Sequence, residues 1–136
     1  MAWERVYTIN DWWDRARLGV ADVHGVPHIY QSPFDSSLDD YSDFYLVSPI
    51  GPELLNLVLE DWEIWKRWSS AFDSQATSRE THPALPADRA RHEQIEREIN
   101  GRLVIDPANS QKLYARFQRI ATGWGGFEVE WSDKEP

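Results

Sequence analysis

Large apolar and polar residues alternate through WERVYTI, residues 3–9. This reads as a strand, because successive strand side chains point to opposite faces. NDWWDRAR follows and reads as a turn or short irregular segment carrying two adjacent tryptophans. GVADVHGVPHIYQ, residues 19–31, predicts a β-hairpin turning on His24 and Gly25. Val23 then faces Val26, Ala21 faces His28 and Val20 faces Ile29. Pro27 argues that the second arm begins at a sheet edge. SPFDSSLDDYSD, residues 32–43, is a polar loop by composition, and FYLVSPI, residues 44–50, suits a buried strand.

The period turns helical at Pro52 and stays so to about residue 72. Pro52 suits a first helical position, and Glu53 lies where the helix dipole favours an acid. At about 100° per residue, with Trp62 at zero, Trp65 falls near 300° and Trp68 near 240°. The apolar arc runs from roughly 200° through zero to about 60°, wider than the stripe of a surface helix. The three tryptophans therefore read as core or near-core residues. Asp61 breaks the pattern at about 260°, inside the arc. A carboxylate there must be mostly buried with a donor at hand. Glu63 and Arg67 are spaced for an i,i+4 pair.

Residues 73–86 read as a loop, and ADRARHEQIEREIN, residues 87–100, as a polar surface helix stopping at Asn100–Gly101. Arg89–Glu93 and Glu93–Arg97 are spaced as pairs along it, and His92 as a local charge pair with Asp88 and Glu96. IDPANSQKLYARFQRIATG fits a helix begun at Asp106–Pro107. It also fits a turn, DPANS, followed by a strand with Leu113, Ala115 and Phe117 on one face. The strand is preferred, because FEVEW, residues 127–131, alternates and needs a neighbour that a TGWGG turn would supply. The fold class expected is α+β, in one globular domain over residues 1–136. A mostly antiparallel sheet packs on one apolar helix (about 52–72), with a second, polar helix (about 87–100) outside.

Charge sharpens this picture. No lysine or arginine lies between Arg17 and Lys66, a window holding Asp22, Asp35, Asp39, Asp40, Asp43, Glu53, Glu60, Asp61 and Glu63. The rest of the chain balances at 14 acids against 14 bases, so the net charge of −9 arises entirely in that window. Such a field repels phosphate backbones and suits a basic protein surface or a cation. No direct nucleic-acid ligand is expected. There is no cysteine, hence no disulfide and no thiolate metal site. The first twenty residues lack the apolar run of a signal peptide, and no stretch approaches the roughly 18 apolar residues of a membrane span. The cytoplasm is the expected compartment, without membrane attachment.

Catalytic signals are sparse. His28 with Asp35, Asp39, Asp40 and Asp43 is the nearest approach to a metal constellation, but its spacing matches no EF-hand loop. H-E-x-x-H, G-x-S-x-G, P-loop and G-x-G-x-x-G motifs are absent, and GWGG, residues 123–126, has no lysine. His24 reads as a turn residue and His82 as part of a packed loop. No metal, cofactor or catalytic residue is assigned, and the pattern weighs against an enzyme. The leading expectation is a binding module of the inhibitor or immunity type. It would meet a basic partner through Asp35, Asp39, Asp40 and Asp43, with Tyr41 as aromatic anchor. A second is a ligand or metal site between the sheet and helix 52–72, using His28, Asp61 and Trp65. A third is a structural subunit whose contact patch holds Trp12, Trp13 or Trp124.

RLGVADVHGVPH (residues 17–28), EDWEIWKRW (60–68) and THPALPADRARHE (81–93) together resemble small bacterial proteins of unassigned function, over roughly two thirds of the chain. The resemblance implies a compact single-domain bacterial protein and no activity, cofactor or site.

Overall fold

The computed structural model describes residues 2–120 and 126–136. Its strands are β1 (Trp3–Trp13), β2 (Arg15–Val23), β3 (Val26–Gln31), β4 (Phe34–Asp35), β5 (Asp40–Tyr41), β6 (Tyr45–Pro49), β7 (Gln111–Arg119) and β8 (Phe127–Ser132), and its helices are α1 (Pro52–Asp73) and α2 (Arg89–Ile99). The fold is α+β. The chain forms two compact units, one from Met1–Ile50 with Val104–Pro136, the other from Gly51–Leu103.

The first unit is a closed antiparallel barrel in the order β1-β2-β3-β6-β7-β8, plus the two-stranded β4-β5 ladder. The β2–β3 register pairs Val23 with Val26, Ala21 with His28 and Val20 with Ile29, the pairing the turn residues predict. His24 (φ 53°) and Gly25 (φ 77°) both take the left-handed turn conformation that joins a two-residue hairpin. Pro27, however, does not mark an edge. β3 pairs with β6 on its other side, starting at His28 opposite Pro49. Pro27 lies one residue outside that ladder, so its missing N–H costs nothing, while its carbonyl accepts from Ile50 N at 3.3 Å.

NDWWDRAR, expected as a turn or short irregular segment, is strand on both sides of a tight turn at Asp14. Trp12 pairs with Ala16 and Trp13 with Arg15 around Asp14, an aspartate able to hold φ 65°. Register shifts between Val6 and Thr8, Ile9 and Asp11, and Asp11 and Trp12 break the alternation there. DPANS forms a 3-10 turn at Pro107–Asn109 with the Asp106 carboxylate accepting from Ala108 N, and β7 follows as a strand. The TGWGG turn with Trp124 lies outside the described residues, apart from Gly126.

Inside the barrel Tyr30, Tyr45, Phe117 and Trp131 pack with ring centroids 5.4–6.2 Å apart. Each polar tip meets a backbone carbonyl: Tyr30 OH donates to Thr8 O at 2.9 Å, Tyr45 OH to Ala16 O at 2.6 Å and Trp131 Nε1 to Asp22 O at 2.8 Å. Burial pushes the Tyr30 phenol well above its ordinary range and raises Tyr45 too, so both remain neutral donors.

The second unit pairs α1 with α2. Ile64, Ala84 and Ile95 form its own small core, flanked by Leu57 and Ile99. Leu54, Val58, Trp62 and Trp68 on α1 are buried as well, which accounts for the breadth of its apolar arc. Trp65 is half-buried and stacks on Trp68 at 5.3 Å, which stacks in turn on Phe72 at 5.0 Å. His82 stands edge-on to both tryptophans. Among the described residues no helix is long and apolar enough to cross a membrane.

Candidate functional site

Residues 32–43, expected as a polar loop, contain a short hairpin. β4 pairs with β5, Phe34 opposite Tyr41 and Asp35 opposite Asp40. Local bonds explain why so polar a stretch holds one shape. The Asp35 carboxylate accepts from Ser37 N at 2.9 Å and from Ser37 Oγ at 2.6 Å, and Leu38 N closes the turn onto Asp35 O. Those Ser37 bonds hold the Asp35 carboxyl below its ordinary range, so it stays charged. Asp39 takes φ 52° at the tip. Ser42 N donates to Pro33 O and Ser32 Oγ to Ser42 O, which closes the base.

Arg17 anchors this hairpin to the barrel. It is 6% exposed, donates from Nε to Trp13 O at 2.9 Å and from Nη1 to Ser32 Oγ at 3.1 Å, and lays its guanidinium 4.6 Å from the Tyr41 ring centroid. Tyr41 OH reaches Asp11 Oδ2 at 3.5 Å. Tyr41 is thus half-buried against Arg17 and Phe34, and the exposed apolar groups are Phe34 (55%), Leu38 (70%) and, on the β1–β2 turn, Trp13 (61%). The role of Arg17 is not legible from the sequence. Its one trace there is that it is the last base before the acidic window.

Eight of the nine acids of that window have two different fates, and the ninth, Asp22 of β2, keeps a buried Oδ1 with no hydrogen-bond partner among the described residues. On α1, Glu53 pairs with Arg102, Glu60 with Arg91, Asp61 with His92 and Glu63 with Lys66. Asp35, Asp39, Asp40 and Asp43 have no basic side chain in ion-pair reach among the described residues. Asp22 apart, the unpaired acids of the window therefore all lie in residues 35–43. There Asp35 and Asp40 stand directly opposite each other, an unfavourable cross-strand pair.

The residues of the second candidate site have other partners. His28 belongs to β3 in the barrel unit, and its Nδ1 lies 2.7 Å from Val26 O of its own strand, toward the β2–β3 turn. Asp61 and Trp65 belong to α1 in the helical unit. Asp61 is 24% exposed and bonds His92 Nδ1 at 2.7 Å, while His92 Nε2 lies 3.3 Å from Glu96 Oε1. Asp88, expected beside His92, accepts instead from Arg67 Nε at 2.9 Å and Nη2 at 3.0 Å, which also takes Arg67 from Glu63. Arg89 turns from Glu93 to the carbonyls of Thr81 and Ala84. Among the described residues no three His, Cys, Asp or Glu side chains are grouped to hold a metal. The Trp12 and Phe127 rings pack edge-on with centroids 5.8 Å apart.

His92 is buried, and it loses a partner if Asp61 is truncated. Asp61→Ala should weaken amide-exchange protection in α1 and α2 of the full chain by about 1–3 kcal/mol, the usual cost of an orphaned buried polar group. In the Asp61→Ala/His92→Ala double variant the two losses should be markedly less than additive. Additive losses would show that the bond is not coupling the helices.

The chain matches no protein-family model, no curated protein and no solved structure.

Proposed function

We propose that the protein is a non-enzymatic intracellular binding module that engages a basic protein partner through the 34–41 hairpin. The observation that carries this reading is the selective neutralisation of the acidic window. The helical acids are paired within the fold, whereas Asp35, Asp39, Asp40 and Asp43 are not, and exposed Phe34 and Leu38 lie among them. An arginine or lysine placed between Asp35 and Asp40 would relieve a repulsion that the free protein carries. The two apolar side chains would supply the desolvated contact that charge alone lacks. A protein that inserts this hairpin into a basic groove and blocks it, as an inhibitor or immunity protein does, fits the arrangement by analogy.

Affinity capture from host lysate with wild type and the Asp39→Asn/Asp40→Asn/Asp43→Asn variant tests it. A basic partner should be retained by wild type and bind the variant about tenfold or more weakly, from up to about 1 kcal/mol per exposed charge. Raising the salt should weaken the wild-type complex, because exposed pairs are screened over about 10 Å at 0.1 M. Equal recovery by both proteins at both salt concentrations rejects the reading.

A further inference from the structure

On the β1–β2 turn the Trp12 ring packs against Phe127, whereas Trp13 beside it is 61% exposed. A single exposed tryptophan is ordinary, but this one has company. The turn lies beside the 34–41 hairpin. Arg17 donates from Nε to Trp13 O and lays its guanidinium on the Tyr41 ring, and Phe34 stands edge-on to that ring at 5.3 Å. Tyr41 OH reaches across to Asp11 Oδ2. Consecutive contacts therefore join the main chain of Trp13 to Phe34, and exposed Trp13, Phe34 and Leu38 stand on two adjoining turns of the barrel unit.

Acids are interleaved with these apolar groups on both turns. Asp11 and Asp14 flank the two tryptophans, Asp35 follows Phe34 and Asp39 follows Leu38. Among the described residues neither Asp11 nor Asp14 forms an ion pair. The base on this turn, Arg15, has its guanidinium 5.6 Å from the centroid of the buried Tyr45 ring. Such a surface is complementary to a segment that interleaves bases with apolar side chains, because each apolar contact excludes water from a neighbouring charge pair. Trp13 is also presented at little entropic cost. Arg17 holds its carbonyl at 2.9 Å, and it pairs with Arg15 across the tight turn at Asp14. Tryptophan is among the residue types that dominate binding energy, and the Tyr41 ring is already taken up by Arg17 and Phe34. We propose that Trp13, in place of Tyr41, is the anchor of the partner interface. It seats a partner segment that interleaves bases with apolar side chains across Trp13, Phe34 and Leu38. The inference rests on the reading of the hairpin as a partner surface and extends that surface to a second turn.

Three end-blocked hexapeptides serve as probes, one alternating arginine and leucine, one arginine and glycine, one glutamate and leucine. Each is titrated into the ¹⁵N-labelled full chain. The arginine–leucine peptide should give saturable shifts at the amides of residues 34–41 and at the Trp13 indole N–H, a signal identified by its loss in Trp13→Phe. The arginine–glycine peptide should bind about tenfold more weakly, and the glutamate–leucine peptide should leave those signals unmoved. Trp13→Ala should weaken the arginine–leucine peptide about tenfold while amide protection in residues 34–41 is kept, and Trp13→Phe should retain most of the affinity. Equal binding of the two arginine peptides, an unchanged arginine–leucine affinity in Trp13→Ala, or no saturable shift at the Trp13 indole overturns the proposal. The Asp39→Asn/Asp40→Asn/Asp43→Asn variant separates the two readings. If it loses the arginine peptides in any of those cases, the hairpin interface stands without Trp13.

Discussion

Gly19→Ala should destabilise the barrel by more than about 3 kcal/mol, enough to leave little folded protein at ordinary temperature. Gly19 sits in the middle of β2, paired with Ile9 on one side and Tyr30 on the other. A Cβ added there would lie 2.2 Å from Thr8 O, 2.6 Å from the Tyr30 hydroxyl and 2.9 Å from Tyr30 Cζ. The Tyr30 phenol crosses the space the glycine leaves open and donates to that same Thr8 carbonyl. Neither neighbour can yield cheaply. The carbonyl is main chain beside a bulge, and Tyr30 is fully buried among the aromatic rings of the barrel. Tyr30→Phe alone should cost about 1–2 kcal/mol, for a lost bond and a buried carbonyl with one acceptor position unused. Adding it to Gly19→Ala removes the phenol clash but not the 2.2 Å approach to Thr8 O. The double variant should therefore remain at least as unstable as Gly19→Ala. Denaturant unfolding of the four proteins checks this, and a Gly19→Ala midpoint within about 1 kcal/mol of wild type would show that the strands separate easily.

The same segment shows what local sequence can and cannot specify. His24–Gly25 determines the β2–β3 register by local turn chemistry, and the length of α1 follows from Pro52 and an unbroken apolar arc. The course of β1 beyond Ile9 does not follow, because three register shifts scramble the alternation on which strand reading depends. Closure is less legible still. FEVEW announces a strand, but nothing local says that Val129 will pair with Glu4 at the far end of the chain. The candidate site divides in the same way. The acidic window is visible by counting, and the hairpin's turn chemistry is local to Asp35 and Ser37. Which acids stay unpaired depends on Arg91, His92 and Arg102 returning along α2 and its end to meet α1. The anchoring of Tyr41 depends likewise on Arg17, 24 positions earlier in the sequence.

Arg17→Ala should weaken capture of the proposed basic partner even though it makes the protein one charge more negative. The opposing signs make this the sharper test of how the hairpin works. If negative potential alone drew the partner, removing a cation beside the acids would tighten the complex. Arg17 acts instead as a brace. It joins the β1–β2 turn through Trp13 O, the hairpin base through Ser32 Oγ and the hairpin itself through the Tyr41 ring. Among the described residues no carboxylate lies in ion-pair reach of this buried guanidinium, which makes it costly to desolvate, and those three contacts offset the cost. Losing them should reduce stability by about 1–3 kcal/mol and deprotect the amides of residues 34–41 first, since few other bonds tie that hairpin down. The partner would then have to order the hairpin on binding, so affinity falls with every aspartate still present. Arg17→Lys keeps the charge but cannot donate in two directions while lying flat on Tyr41, and should fall between wild type and alanine. Exchange rates in residues 34–41 rising in step with the loss of partner would establish preorganisation as the source of affinity. Tighter binding by Arg17→Ala would show that charge alone governs the encounter.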